Sequence, residues 1–119
     1  MNTAPLEGFC ILVVEDDYLI AQDVSGSLKR AGATVLGPVP SVDKAKRLLA
    51  AEAPDAAVLD VNLGQENSFP VAQDLTDRNI PFLFSTGYNS GDIPAEWAHV
   101  TVAMKPLRLA AVTALLGAD

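Results

Sequence analysis

The chain has 119 residues, half of them hydrophobic and 19% charged, which suits one globular domain and excludes a disordered polymer. Fifteen acids stand against eight lysines and arginines, and the net charge of −7 argues against direct nucleic-acid binding and for a cation or a basic partner. The longest apolar run covers residues 9–14, well short of the roughly 20 a membrane span needs. With no basic-then-apolar leader at the N-terminus, a cytoplasmic protein without membrane contact is expected.

Residues 1–7 read as a lead-in. Residues 9–14 are continuous hydrophobe, the pattern of a strand covered on both faces, and stop at Glu15-Asp16-Asp17. Cys10, the sole cysteine, reads as a small buried hydrophobe. Ile20, Val24 and Leu28 stripe a first helix that ends in Lys29-Arg30 and Gly32. Residues 34–36 form a short second strand, which Gly37-Pro38 and Pro40 break. Ser41 is a candidate N-cap for a helix carrying Ala45, Leu48 and Leu49. A third strand over residues 56–59 ends at Asp60, and Asn62 and Gly64 mark a loop. Ser68 is a candidate cap for a helix carrying Val71, Ala72 and Leu75. A fourth strand over residues 81–84 runs out at Ser85-Thr86-Gly87, and any fourth helix, near residues 95–98, is short. His99 has no second histidine to share a metal with. A fifth strand over residues 100–104 ends at Lys105-Pro106. A last helix over about residues 107–116 faces Leu109, Val112, Leu115 and Leu116 inward.

Strand and helix alternate five times, which predicts a doubly wound α/β three-layer sandwich, (βα)5, with a parallel sheet in the flavodoxin-like order 2-1-3-4-5. Ligand sites in such sheets lie beyond the carboxyl ends of the strands. There strand one delivers Glu15, Asp16 and Asp17, strand three Asp60, strand four Ser85 and Thr86, and strand five Lys105. Clustered carboxylates need a cation, or one of them must stay protonated, and an all-oxygen donor set favours Mg²⁺ as the cation. A carboxylate nucleophile, a hydroxyl donor and a compact ammonium suit phosphoryl transfer through an acyl phosphate on Asp60. Singly each group has a plainer reading: Asp17 as a helix cap, Thr86 as a turn residue, Lys105 as a solvated charge.

At these residues the chain resembles a response-regulator receiver domain of the CheY-like type, over essentially its whole length. The segments that carry the resemblance are Ile11-Leu12-Val13-Val14-Glu15-Asp16-Asp17, Leu59-Asp60-Val61-Asn62-Leu63-Gly64, Ser85-Thr86-Gly87 and Met104-Lys105-Pro106. The resemblance implies a single receiver domain over residues 1–119. In it Asp60 is the phosphoacceptor, and Glu15 and Asp16 hold Mg²⁺ together with Asp60 and the backbone carbonyl of Asn62. Thr86 is the switch hydroxyl and Lys105 the lysine of the site, followed by Pro106, often after a cis peptide. It implies a phosphorelay signalling domain rather than an enzyme, with weak self-catalysed phosphorylation and dephosphorylation. The implied partners are a histidine kinase or phosphotransfer protein upstream and a protein target downstream.

One position departs from the pattern. Receivers usually carry an aromatic three residues before the lysine, and Val102 stands there. Phe84-Ser85-Thr86-Gly87-Tyr88 instead resembles the Phe-Ala-Thr-Gly-Tyr signature of a subgroup lacking that aromatic, with Ser85 in place of Ala. Tyr88 is then a candidate for part of the missing role, beside its reading as a plain loop aromatic. On this view phosphate on Asp60 draws Thr86 inward and stiffens residues 88–94, and Trp97 is either an exposed anchor for a partner or a buried structural residue. A phosphate-independent protein-binding module of the same fold is the alternative. A haloacid-dehalogenase-type phosphatase lacks its Asp-x-Asp run here. A flavin or nucleotide binder lacks a phosphate loop after strand one.

Overall fold

A computed structural model of the chain describes residues 4–87 and 93–117. Five parallel strands form one sheet in the order β2-β1-β3-β4-β5. They are β1 (Cys10–Val14), β2 (Thr34–Val39), β3 (Ala56–Asp60), β4 (Phe82–Thr86) and β5 (Val102–Met104). Helices α1 (Tyr18–Arg30), α2 (Val42–Ala51), α3 (Phe69–Asp77) and α4 (Leu109–Leu116) cover the two faces, and a 3₁₀ turn (Ala95–Trp97) stands between β4 and β5. The predicted fold and strand order are those observed. Among the described residues, no helix is long and apolar enough to cross a membrane.

Side-chain alternation along the buried strands divides the core in two. Leu12, Val14, Ala57, Leu59, Phe82 and Phe84 pack with Ala45 and Leu49 of α2 and Val71, Ala72 and Leu75 of α3. Ile11, Val13, Ala56, Val58 and Leu83 pack on the other face with Leu28 of α1 and Val112 of α4. Leu6 is fully buried in that second cluster, and its amide donates to the Ala31 carbonyl at 2.8 Å.

Local chemistry sets the helix ends. Asp17 caps α1 by accepting from the Ile20 amide at 3.1 Å. Gly32, at φ +100°, closes α1 in a Schellman arrangement, with Ala33 N–H donating to Leu28 O and Gly32 N–H to Lys29 O. Ser41 caps α2, accepting from the Lys44 amide at 3.3 Å.

Four sequence expectations shift. Gly37-Pro38 does not end β2: the strand continues to Val39 through a register shift against β1. An edge strand tolerates proline, and Gly37 supplies a φ of +98° at a spot where a Cβ would lie 2.9 Å from the Val39 nitrogen. Ser68 does not cap α3. Its backbone (φ −89°, ψ 5°) is not extended, so its buried hydroxyl is misdirected, and Asn67 Oδ1 accepts from the Phe69 amide at 3.1 Å instead. β5 starts at Val102 because the Val100 amide is spent on Trp97 O, in the turn that follows the 3₁₀ segment. The last helix starts at Leu109, since Arg108 is still extended.

Candidate functional site

The carboxyl ends of β1, β3, β4 and β5 open on one cleft of about 630 Å³. Glu15, Asp16, Asp60, Asn62, Thr86 and Lys105 all line it, so the expected phosphoryl-transfer and metal-holding residues are brought together there, while Val102 and Pro106 are not part of its lining. A parallel sheet achieves this because each strand stops at the same layer: Asp60 pairs with Ser85 in the β3–β4 register, and the Lys105 amide donates to Thr86 O at 2.8 Å. The Glu15 amide donates to Val39 O at 3.0 Å, so the continuation of β2 past Gly37-Pro38 fixes the backbone of the acidic corner.

Glu15 and Asp60 are each only 6% exposed, while Asp16 faces solvent. One oxygen from each of the three lies within 4.8 Å of the others. Lys105 Nζ sits between the two buried carboxylates, 2.9 Å from Glu15 Oε1 and 3.0 Å from Asp60 Oδ2. The other oxygens are also engaged: Asp60 Oδ1 accepts from the Asn62 amide at 3.3 Å, and Glu15 Oε2 from the Asp17 amide at 3.1 Å.

Burial, and then Asp60 beside it, push the Glu15 carboxyl up to about 7, against the opposing pull of Lys105 and the Asp17 amide. Burial works to lower the Lys105 ammonium, but its contacts with Glu15 and Asp60 outweigh it and hold the group above its ordinary value. Lys105 pairs with two of the three clustered carboxylates, Glu15 and Asp60, and the remaining negative charge is what a cation relieves. The donors are all oxygens, close together and on two backbone segments, the ends of β1 and β3, which fits a hard divalent ion such as Mg²⁺ better than a soft one.

The loop from Asn62 to Asn67 closes over this corner as a small hairpin. Asn62 and Asn67 form an antiparallel bridge, Leu63 N–H donates to Glu66 O at 2.8 Å, and Gly64 turns at φ +86°. A Cβ on Gly64 would stand 3.5 Å from Asp16 Oδ2, so the hairpin tip lies against the exposed acid.

No protein-family model matches the chain. Its structure superposes on that of SdrG from Sphingomonas melonis Fr1 with a TM-score of 0.79 and 37% identity, covering 99% of this chain and 98% of that one. A response regulator receiver protein from Burkholderia phymatum shares the fold at a TM-score of 0.80 and 23% identity, with 92% and 96% covered. The chain belongs to the response-regulator receiver family. Among curated proteins, the receiver is 24% identical to the transcriptional regulatory protein PdtaR of Mycobacterium tuberculosis over 84 residues, 70% of this chain. It spans about two fifths (41%) of the length of that relative.

Within the receiver, Asp17 acts as the α1 cap. Pro106 follows Lys105 through a cis peptide bond and is exposed. Val102 is 38% exposed on the edge strand β5. Tyr88, and with it most of the 88–94 segment, lies outside the described residues. Trp97 is not an exposed anchor: it is 5% exposed, stacked on Phe69 at 6.4 Å and edge-on to Phe82 and Phe84. Sequence reasoning missed Phe69 and Asn67 as cleft lining and Val39 as the partner of Glu15. The Asn67-Ser68-Phe69 order, with two adjacent candidate caps, was the available signal for the first pair.

Proposed function

We propose that this receiver takes a phosphoryl group onto Asp60 and relays that event to a protein partner through a change at its surface. The observation that carries the proposal is the buried Asp60 carboxylate, 3.0 Å from the Lys105 ammonium in the wall of an acid-lined cleft. The donor implied by the family is a phosphohistidine on a histidine kinase or phosphotransfer protein, in the cytoplasm. An Asp60 oxygen forms the new O–P bond as the P–N bond to the donor imidazole breaks, leaving the electron pair on the ring nitrogen.

Glu15, Asp16, Asp60 and the Asn62 carbonyl would hold Mg²⁺, which would supply positive charge beside the phosphoryl oxygens. Lys105 is fixed beside Asp60, stays protonated, and meets a second phosphoryl oxygen as a point charge. The Thr86 hydroxyl, buried in the same cleft, donates to a third. The readout differs from the common aromatic switch because Val102 has no ring to swing. Thr86 and Tyr88 take its place, as the Phe84–Tyr88 run of the Phe-Ala-Thr-Gly-Tyr subgroup suggests. A BeF₃-activated conformation is known for SdrG, 36% identical over 98% of that chain, which supports a phosphate-responsive site in this relative.

Intact mass after incubation with acetyl phosphate and Mg²⁺, beside Asp60→Ala, tests the proposal. The expected result is one phosphoryl adduct, absent in the variant and without metal. Neither an adduct nor Mg²⁺-dependent BeF₃⁻ binding in the parent protein would overturn it and favour the phosphate-independent binding module.

A further inference from the structure

We infer that Glu66, outside the acidic site and reaching away from it, is a positioning residue that sets the receiver's cation affinity by tying the Asn62–Asn67 hairpin to helix α2. The inference rests on the metal-assisted reading above and adds a residue that reading does not use.

Three observations support it. First, the hairpin carries two groups that face the acidic corner: Asn62, whose amide is bonded to Asp60 Oδ1, and Gly64, where an added Cβ would stand 3.5 Å from Asp16 Oδ2. A small displacement of the hairpin therefore moves a cation ligand and the ground next to another. Second, the described hydrogen bonds of the hairpin otherwise run within its own segment, from Asp60 to Phe69. The exception is Glu66 Oε2, which accepts from the Val42 amide at 3.1 Å. Third, the anchor is firm. Val42 opens α2, whose Ala45 and Leu49 are buried in the core, and another of whose first-turn donors, Lys44 N–H, is satisfied by Ser41. The first amides of a helix lack internal partners and favour an anionic acceptor. Glu66 fills that vacancy from a different part of the chain, so its carboxylate is held by the helix, and it holds the hairpin in turn.

Outer partners that orient a ligating segment commonly tune metal affinity. The bond is exposed, so the effect is modest. Glu66→Ala is expected to weaken Mg²⁺ binding roughly threefold to tenfold, measured by the amide shifts of Asn62 and Gly64 during Mg²⁺ titration of the full chain. Glu66→Gln keeps the carbonyl acceptor and is expected to bind within about twofold of the parent. Amide exchange at Val42 is expected to accelerate in Glu66→Ala alone, a readout that general loss of charge does not move. Parent-like Mg²⁺ affinity in Glu66→Ala would overturn the inference alone. So would equal weakening in Glu66→Ala and Glu66→Gln, because the effect would then be long-range charge. A parent protein that binds no Mg²⁺ would overturn the metal-assisted reading and this inference together.

Discussion

The titration of Glu15 gives the receiver a specific pH signature. Its carboxyl moves from an ordinary 4.5 to about 7, chiefly through burial and then through Asp60. A carboxyl whose folded value is raised binds its proton more tightly in the folded state. Its contribution to stability is therefore complete below about 4.5 and is lost as pH climbs through about 7. A displacement of 2.5 units (7 minus 4.5), at about 1.36 kcal/mol each, gives a loss of about 3 kcal/mol across that window. Glu15→Gln removes the titration while keeping the shape of the side chain. The assay is urea denaturation in chelator at several pH values from 4.5 to 8. The parent protein should lose about 3 kcal/mol more than Glu15→Gln over that range, and Mg²⁺ should return part of it at pH 8. The slope is the readout, because the variant also gives up its 2.9 Å contact with Lys105 and shifts in absolute stability. Parallel pH profiles for the two proteins would refute the reasoning.

Three further predictions follow from single contacts. Lys105→Ala removes the ammonium 3.0 Å from Asp60, and phosphorylation by acetyl phosphate should slow by about a hundredfold, followed by intact mass against time. Gly37→Ala forces a side chain onto a φ of +98° and a 2.9 Å contact with Val39 N, and should cost about 1–3 kcal/mol in urea denaturation. Leu6→Ala empties a fully buried position of the α1–α4 core, and thermal or urea unfolding should show a loss of about 2–5 kcal/mol.

The sheet order and the converging acids were legible because both are consequences of topology. A buried parallel strand announces itself as a continuous apolar run, and whatever residue follows that run lands on the same edge. Glu15, Asp60, Thr86 and Lys105 needed no more than that. What was not legible depends on backbone geometry over two or three residues. Gly37-Pro38 looks like a stop, yet at a sheet edge the same pair makes a bulge that carries β2 on to Val39. Ser68 has the chemistry of a cap but the wrong ψ, and its neighbour takes the job. Trp97 sits in a turn too short to show any periodicity, so nothing in its own neighbourhood foretold that three phenylalanines would enclose it. Glu66 is one exposed acid among fifteen until the fold brings Val42 beside it.

That enclosure gives the protein a built-in optical gauge. Trp97 is the sole indole of the chain, and its ring stacks on Phe69, which is itself part of the cleft wall. It also meets Phe84, two residues ahead of Thr86 along β4. Light emitted by this fluorophore therefore samples both a wall of the acidic cleft and the strand that delivers the hydroxyl. Filling of the site is therefore expected to register in the intrinsic emission of Trp97, with no dye attached.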